Sequence, residues 1–328
     1  MYYKVKKTIF IAMVFLFLFS CKSDDSPTEI TVTYPTPELL ANLSELNLFK
    51  GDLKDLTPTD VVAVYDLQTP LFTDYCHKKR FISIPKGQAM EYNGEGFPVF
   101  PDNTILAKTF YYNIDERNPD LGKKIIETRV LIKKAGIWEI GNYIWNEDQT
   151  EAIRDEAGAT QNISWIDMQG NTKTVDYKIP DYATCIMCHT NRGVRVPIGP
   201  KIRNMHKNNQ LQNFIDKGIL TGIDDVNAVT KLPNWEDTSY TEEQRSRAYL
   251  DVNCAHCHQP GGYYSVNFND SFEFRYETRF SDTHIYEKRD PIMTRIESNI
   301  ENYKMPFVGT TLNHTEAIDL LNSYLNSL

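Results

Sequence analysis

From about residue 52 to residue 180, apolar and polar positions alternate with a period of two, in short runs that predict strands. The runs are Val61–Asp66, Arg80–Ile84, Ile105–Asn113, Ile125–Lys133, Ile137–Trp145, Asn162–Asp167 and Lys173–Lys178. Turn-forming clusters such as Asn93-Gly94 and Gln169-Gly170-Asn171 punctuate them, and no helical period intervenes. Strands in this succession predict an antiparallel β-sandwich-like domain over residues 37–180. Ahead of them, Thr36-Pro37-Glu38 offers a cap with proline at the first helical position. Leu39, Leu40, Leu43 and Leu46 follow on one face, so a short helix is expected to open the domain.

From Asp181 the pattern changes to helices and long loops. Thr241-Glu242-Glu243-Gln244 has capping-box spacing and starts a helix running to residue 253. Asn313-His314-Thr315-Glu316 repeats that spacing before Ala317, Ile318, Leu321, Tyr324, Leu325 and Leu328, which share one face of a terminal helix. The fold class is therefore α+β. A β-rich domain precedes a mainly α-helical region, divided into segments 181–240 and 241–328.

The first twenty residues read as an address. Lys4, Lys6 and Lys7 precede the apolar run from Ile9 to Phe19, which is too short to span a bilayer as a helix. Its end, Leu18-Phe19-Ser20-Cys21, resembles a bacterial lipobox, in which the cysteine is acylated and becomes the first mature residue; plain secretory cleavage is the alternative. Residues 1–20 are thus expected to be removed and Cys21 lipidated. Residues 21–36 would serve as a tether, and Lys22-Ser23-Asp24-Asp25 resembles that of surface-exported bacterial lipoproteins. The expectation is an outer-membrane lipoprotein held by its acyl anchor and facing either the periplasm or the medium.

Among 328 residues the net charge is −9, which argues against nucleic acid as a partner. The 19 Tyr and 16 Phe suit β-structure and flat cofactor pockets. No Ser–His–Asp arrangement or phosphate-binding glycine loop occurs, so no catalytic residue is assigned. Glu147, Asp148 and Glu151 read as solvated acids, and the four Trp residues mostly as core. Of six cysteines, Cys21 is the lipid site, four fall in one repeated motif, and Cys76 remains as a small buried hydrophobe, leaving no disulfide framework.

The repeated motif is Cys-x-x-Cys-His, at Cys185–Cys188–His189 and Cys254–Cys257–His258. Two thiols three positions apart lie on one turn and can add to the two vinyl groups of one porphyrin. The adjacent imidazole then serves as proximal iron ligand. The reading is two covalently bound haem c groups, with His189 and His258 on the irons. A zinc site on the four motif cysteines is the structural alternative, disfavoured by the histidines and the export signal. His256, inside its own motif, cannot reach the same iron and is expected at an edge. Pro260-Gly261-Gly262 would let backbone pass close to a ring edge.

The C-terminal segment resembles a class I cytochrome c: a helix leads into Cys254–His258, a loop carries Lys304-Met305-Pro306, and a terminal helix follows. The resemblance implies Met305 as the distal, sixth ligand of the second haem, with Met293 as backup and core filling as the other reading. Three further stretches, Trp145–Ala152, Arg247–Cys254 and His258–Gly262, resemble a family of bacterial di-haem c-type cytochromes often encoded beside a parallel β-helix protein. That family implies haem binding and single-electron transfer to a redox partner protein, without a substrate. For the first haem, the sixth ligand is open between His77, Met90, Met205 and His206. An open iron would instead make the chain a peroxidase-like di-haem enzyme.

Overall fold

The computed structural model describes residues 36–328; the signal segment, Cys21 and residues 22–35 lie outside the described residues. All seven runs of period two are strands. They are β1 (Val62–Tyr65), β2 (His77–Ser83), β4 (Ile105–Asn113), β5 (Lys123–Lys134), β6 (Ile137–Trp145), β8 (Ala159–Ile166) and β9 (Thr172–Ile179), with β3 (Met90–Glu91) and β7 (Ala152–Arg154) as short additions. Six form one antiparallel sheet in the order β1-β2-β4-β5-β6-β7, and β8 and β9 form a separate hairpin. A two-residue turn, Ala135-Gly136, joins β5 to β6 with both residues left-handed (φ 45° and 80°), the twist that a tight hairpin requires.

The helical region follows as expected for an α+β chain. It comprises α1 (Tyr182–His189), α2 (Ile202–Met205), α3 (Gln210–Asp216), α4 (Glu242–Asn253), α5 (Tyr263–Phe268), α6 (Phe280–Thr283), α7 (Ile285–Glu297) and α8 (Thr315–Ser327). Thr190–Asn191 (β10) and Val194–Arg195 (β11) pair just after α1, and Leu220–Thr221 (β12) runs parallel to β3. The capping box at Thr241 forms in full.

Two local expectations fail. Residues 37–46 make no α-helix, only a 3-10 turn at Ser44–Leu46. The leucines are used differently: Asn42 bridges Ile153, and Leu43 N–H bonds Ala152 O (2.9 Å), so the segment lies along the β7 edge with Leu43 wholly buried. Pairing an open sheet edge outweighs a weak helical preference. The second capping box does not form either. α8 starts at Thr315 with no side-chain cap, because Asn313 Nδ2 donates to Glu297 O (3.2 Å).

One face of the sheet is covered by residues 39–56, with Leu43, Leu48 and Leu56 against Phe81, Ala107, Val130 and Tyr143. The opposite face is banded along the strands. At one end the cross-strand neighbours Ile82, Leu106, Leu131 and Ile140 make an apolar row, and Cys185, Ile202, Met205 and Leu211 pack on it. At the other end Phe110, Tyr112 and Ile126 meet Ile163, Trp165, Val175 and Tyr177 of the β8–β9 hairpin. Between these bands runs the row Arg80–Lys108–Arg129–Asn142, each residue directly opposite the next. A third core, with Tyr249, Leu250, Ile285, Leu321 and Leu325, sits among α4, α7 and α8. Because Cys185 and Met205 share a core with sheet residues, position 180 marks a change of secondary structure inside continuous packing. All four Trp are buried, and Trp145 Nε1 finds Thr128 Oγ1 at 3.0 Å.

Candidate functional site

The first motif lies on α1, capped by Asp181, whose carboxylate accepts from Thr184 N–H (2.7 Å). α1 packs on β6, which carries Cys185 into the apolar row and buries His189. His189 Nδ1–H donates to Val196 O at 2.8 Å, leaving Nε2 uncommitted. Burial holds its pKa down at about 3, with Lys108 and Arg129 adding to the effect against the Val196 carbonyl. A neutral imidazole oriented by a backbone carbonyl through one nitrogen is the state in which histidine binds a metal through the other.

The second motif follows α4. His258 is buried against Tyr264 (4.3 Å between ring centroids), Phe272 and Phe274 (5.3 Å each), and burial lowers its pKa to about 4. Its Nδ1 is buried with no partner among the described residues. Cys254 packs at the edge of the α4–α7–α8 core, where burial pushes its thiol up to about 12. Met305, in the loop before α8, packs on the same core, its N–H bonded to Arg295 O (2.8 Å); Met293 lies there too. The far end of the loop is pinned by the buried Asp74, whose carboxylate accepts from Thr311 N–H and Leu312 N–H at 2.8 Å each. Met305 and its expected backup thus pack on the same core as Cys254.

The two motifs meet. Cys188, His256 and Cys257 place their ligand atoms within 4.8 Å of one another, the one such group among the described residues. A hydrogen bond from Cys257 holds the Cys188 thiol well below its usual range, with burial opposing and His256 assisting. Arg192 N–H donates to Gly261 O (2.8 Å) and Asn191 Nδ2 to Pro260 O (3.1 Å). A Cβ on Gly261 would fall 2.2 Å from Arg192 Cγ, and one on Gly262 2.5 Å from Cys257 O. Gly261 therefore permits the loop after one motif to touch the loop after the other, and Gly262 permits the tight turn on Cys257 that leads into it. His256 is half-buried at this junction with Nδ1 unpartnered, a more central place than the edge expected of it.

Four motif thiols converging on one ion are not found. Cys185 belongs to the sheet-facing core and Cys254 to the core of the terminal helices. The donor set fits one porphyrin per motif better: two thiols and a buried neutral imidazole in each.

Among residues considered for the first iron's other side, Met90 and Met205 are fully buried in the cluster that holds Cys185. His206 is buried nearby in sequence, with Nδ1 on Val229 O (2.9 Å). His77 lies elsewhere in the packing. Its Nε2 is 2.9 Å from both carboxylate oxygens of Glu116 and 3.2 Å from Asn113 Nδ2, and its ring stacks on Tyr111. That nitrogen is committed, and His77 belongs to no core shared with Cys185.

Glu147 pairs with Lys124 (2.6 Å), Glu151 accepts from Ser44, and Cys76 is a buried thiol. A cleft of about 890 Å³ lies between the β8–β9 hairpin, the start of α1 and the loop 299–312. Thr184 and Lys304, neighbours of Cys185 and Met305, line it, but no motif cysteine or histidine does. What the sequence reading passed over is the charged row beside His189. The signal was present: Arg80, Lys108 and Arg129 occupy inward positions of otherwise apolar strands. No protein-family model, curated protein or solved structure matches this chain.

Proposed function

We propose that the chain is a di-haem c-type cytochrome that relays single electrons between a redox partner protein and a respiratory chain, anchored to the outer membrane through an acylated Cys21. The observation that carries the reading is the meeting of two Cys-x-x-Cys-His motifs, one cysteine of each lying within the same 4.8 Å group. A thioether sulfur is separated from the porphyrin ring by a single carbon, so adjacent sulfurs imply adjacent redox groups. The groups would supply reversible one-electron chemistry. The protein's part is to hold His189 and His258 neutral, to bury both against aromatic and aliphatic side chains, and to keep the two attachment points in contact. Among the described residues no helix is long and apolar enough to cross a membrane.

The test is maturation of the protein in cells with a cytochrome c assembly system, followed by absorption spectra and pyridine-haemochrome quantitation. Two covalent haems per chain with low-spin reduced bands are expected. One high-spin haem would instead favour the di-haem enzyme, with an iron open to peroxide. A second reading has a specific observation behind it: Cys188, His256 and Cys257 are themselves a three-ligand set for a soft metal such as zinc. Stoichiometric zinc in protein devoid of covalent haem would establish that reading in place of the first.

A further inference from the structure

The row Arg80–Lys108–Arg129–Asn142 is built at variance with ordinary sheet chemistry. Like charges directly opposite one another on adjacent strands repel, and here three cations stand in one line across β2, β4 and β5. Lys78, two residues before Arg80 on the same face of β2, adds a fourth, and the ammonium groups of Lys78 and Lys108 both lie over the Phe110 ring, at 5.6 and 5.2 Å.

The protein supplies little to balance them. Glu127 is the one buried acid of the band, and it is already engaged by Arg129 Nε (3.0 Å), Arg129 Nη2 (2.5 Å) and Tyr177 Oη (2.7 Å). Asp66 reaches Arg80 Nη1 at 3.2 Å, but its side chain is 55% exposed and shared with Lys207. Arg80 is 3% exposed, yet its Nε and Nη2 have no partner; Asn142 is 5% exposed, and neither amide atom has one. Lys108 makes no hydrogen bond among the described residues. Buried donors are almost always paired, so the orphaned donors of Arg80 and Asn142, with the half-buried Lys108 between them, mark a missing acceptor.

The surroundings define the acceptor. On one side of the row lies the apolar row Ile82–Leu106–Leu131–Ile140, with Cys185 packed on it. His189, itself buried, ends the helix that packs Cys185 on that row. A haem is an apolar disc with two carboxylates on one edge, and this face offers an apolar band beside a cationic one.

We propose that the row Arg80–Lys108–Arg129–Asn142 is a carboxylate site, filled by the propionates of a haem attached at Cys185, Cys188 and His189. The proposal rests on the di-haem reading above. A free dicarboxylate has the same chemistry and is the competing source. Guanidinium, ammonium and amide donors together suit a pair of carboxylates, and a buried cation beside a propionate offsets the charge that would otherwise favour ferric iron.

The test compares the matured wild type with Lys108→Met, Lys108→Arg and Asn142→Leu, counting haems by pyridine haemochrome and titrating each redox couple. Lys108→Met is expected to keep two haems and lower the midpoint potential of one, with Lys108→Arg restoring it. Asn142→Leu, which removes no charge, should move the same haem by less, and it serves if Lys108→Met does not accumulate. Wild-type potentials in both Lys108→Met and Asn142→Leu, with two haems present, overturn the propionate site while leaving the di-haem reading intact. A wild-type potential that shifts on adding succinate, with the shift lost in Lys108→Met, assigns the row to free carboxylates and also overturns it. Absence of covalent haem from the wild type fails the underlying reading, and the haem count separates that result from the other two.

Discussion

A thioether is a soft ligand that favours ferrous over ferric iron, so a methionine on a haem raises its potential. Met305 is half-buried against the core that holds Cys254, and its backbone is fixed to Arg295. Met305→Ala is therefore expected to leave both haems attached and to lower one midpoint potential by on the order of 0.1–0.3 V, within the span that axial ligands command. Redox titration of the matured variant checks this, and an unchanged curve would move the assignment to Met293. At this scale the grouping of two thiols and an imidazole in each motif was legible, because Cys-x-x-Cys-His spacing is local chemistry. The distal side was not, because it depends on which distant strands meet. His77 looked available in the sequence; across the β2–β4 ladder it stacks on Tyr111 and meets Glu116, which hold its Nε2. Nothing within several residues of His77 announces that partnership.

Elements add what residues alone do not: the contact between the loop after α1 and the loop after the second motif. Gly262 has an ordinary φ of −74°, so alanine there carries no conformational strain, only the 2.5 Å approach of its Cβ to Cys257 O. Gly262→Ala should accordingly destabilise the matured protein by about 1–3 kcal/mol, the usual cost of overpacking. Gly96→Ala, whose Cβ meets nothing within 4 Å, should be close to neutral. Denaturant melts at equal haem content compare the two; equal midpoints would mean that the turn after the second motif does not close on Cys257 as the structure has it. The strands were readable from period two alone, since a half-buried sheet enforces alternation. The helix expected at 37–46 was not, because its leucines serve a sheet edge supplied by β7, more than a hundred residues later. The two capping boxes make the same point. Thr241 and Gln244 satisfy each other, whereas Asn313 is drawn away by the end of α7.

At the scale of the whole molecule, His314 is where the chain before β2 is clasped by the terminal helices. Its ring stacks on Phe72 (4.0 Å, 11°) and lies edge-on to Trp235 (4.8 Å), while Nδ1 pairs with Tyr249 Oη at 2.9 Å. Asp74 grips Thr311 and Leu312 beside it. Burial holds the His314 pKa down at about 4, with Glu316 opposing and Lys78 assisting. An unfolded histidine titrates near 6.5. Above that value both states are neutral and His314 adds no pH dependence. Between about 6.5 and 4 the unfolded chain takes up a proton that the folded chain refuses, so stability must fall as pH falls, by at most ~1.4 kcal/mol per pH unit from this group. His189 and His258 are depressed in the same direction, so the wild-type slope alone is not diagnostic. The difference between wild type and His314→Gln is. Glutamine loses the stacked ring, which lowers stability at every pH, but it carries no titrating proton, which removes one part of the slope. Unfolding free energies measured at several pH values should therefore converge as the solution is acidified toward pH 4. Curves that stay parallel would place the His314 proton in the folded state and break the account of this junction as a dry, neutral clasp.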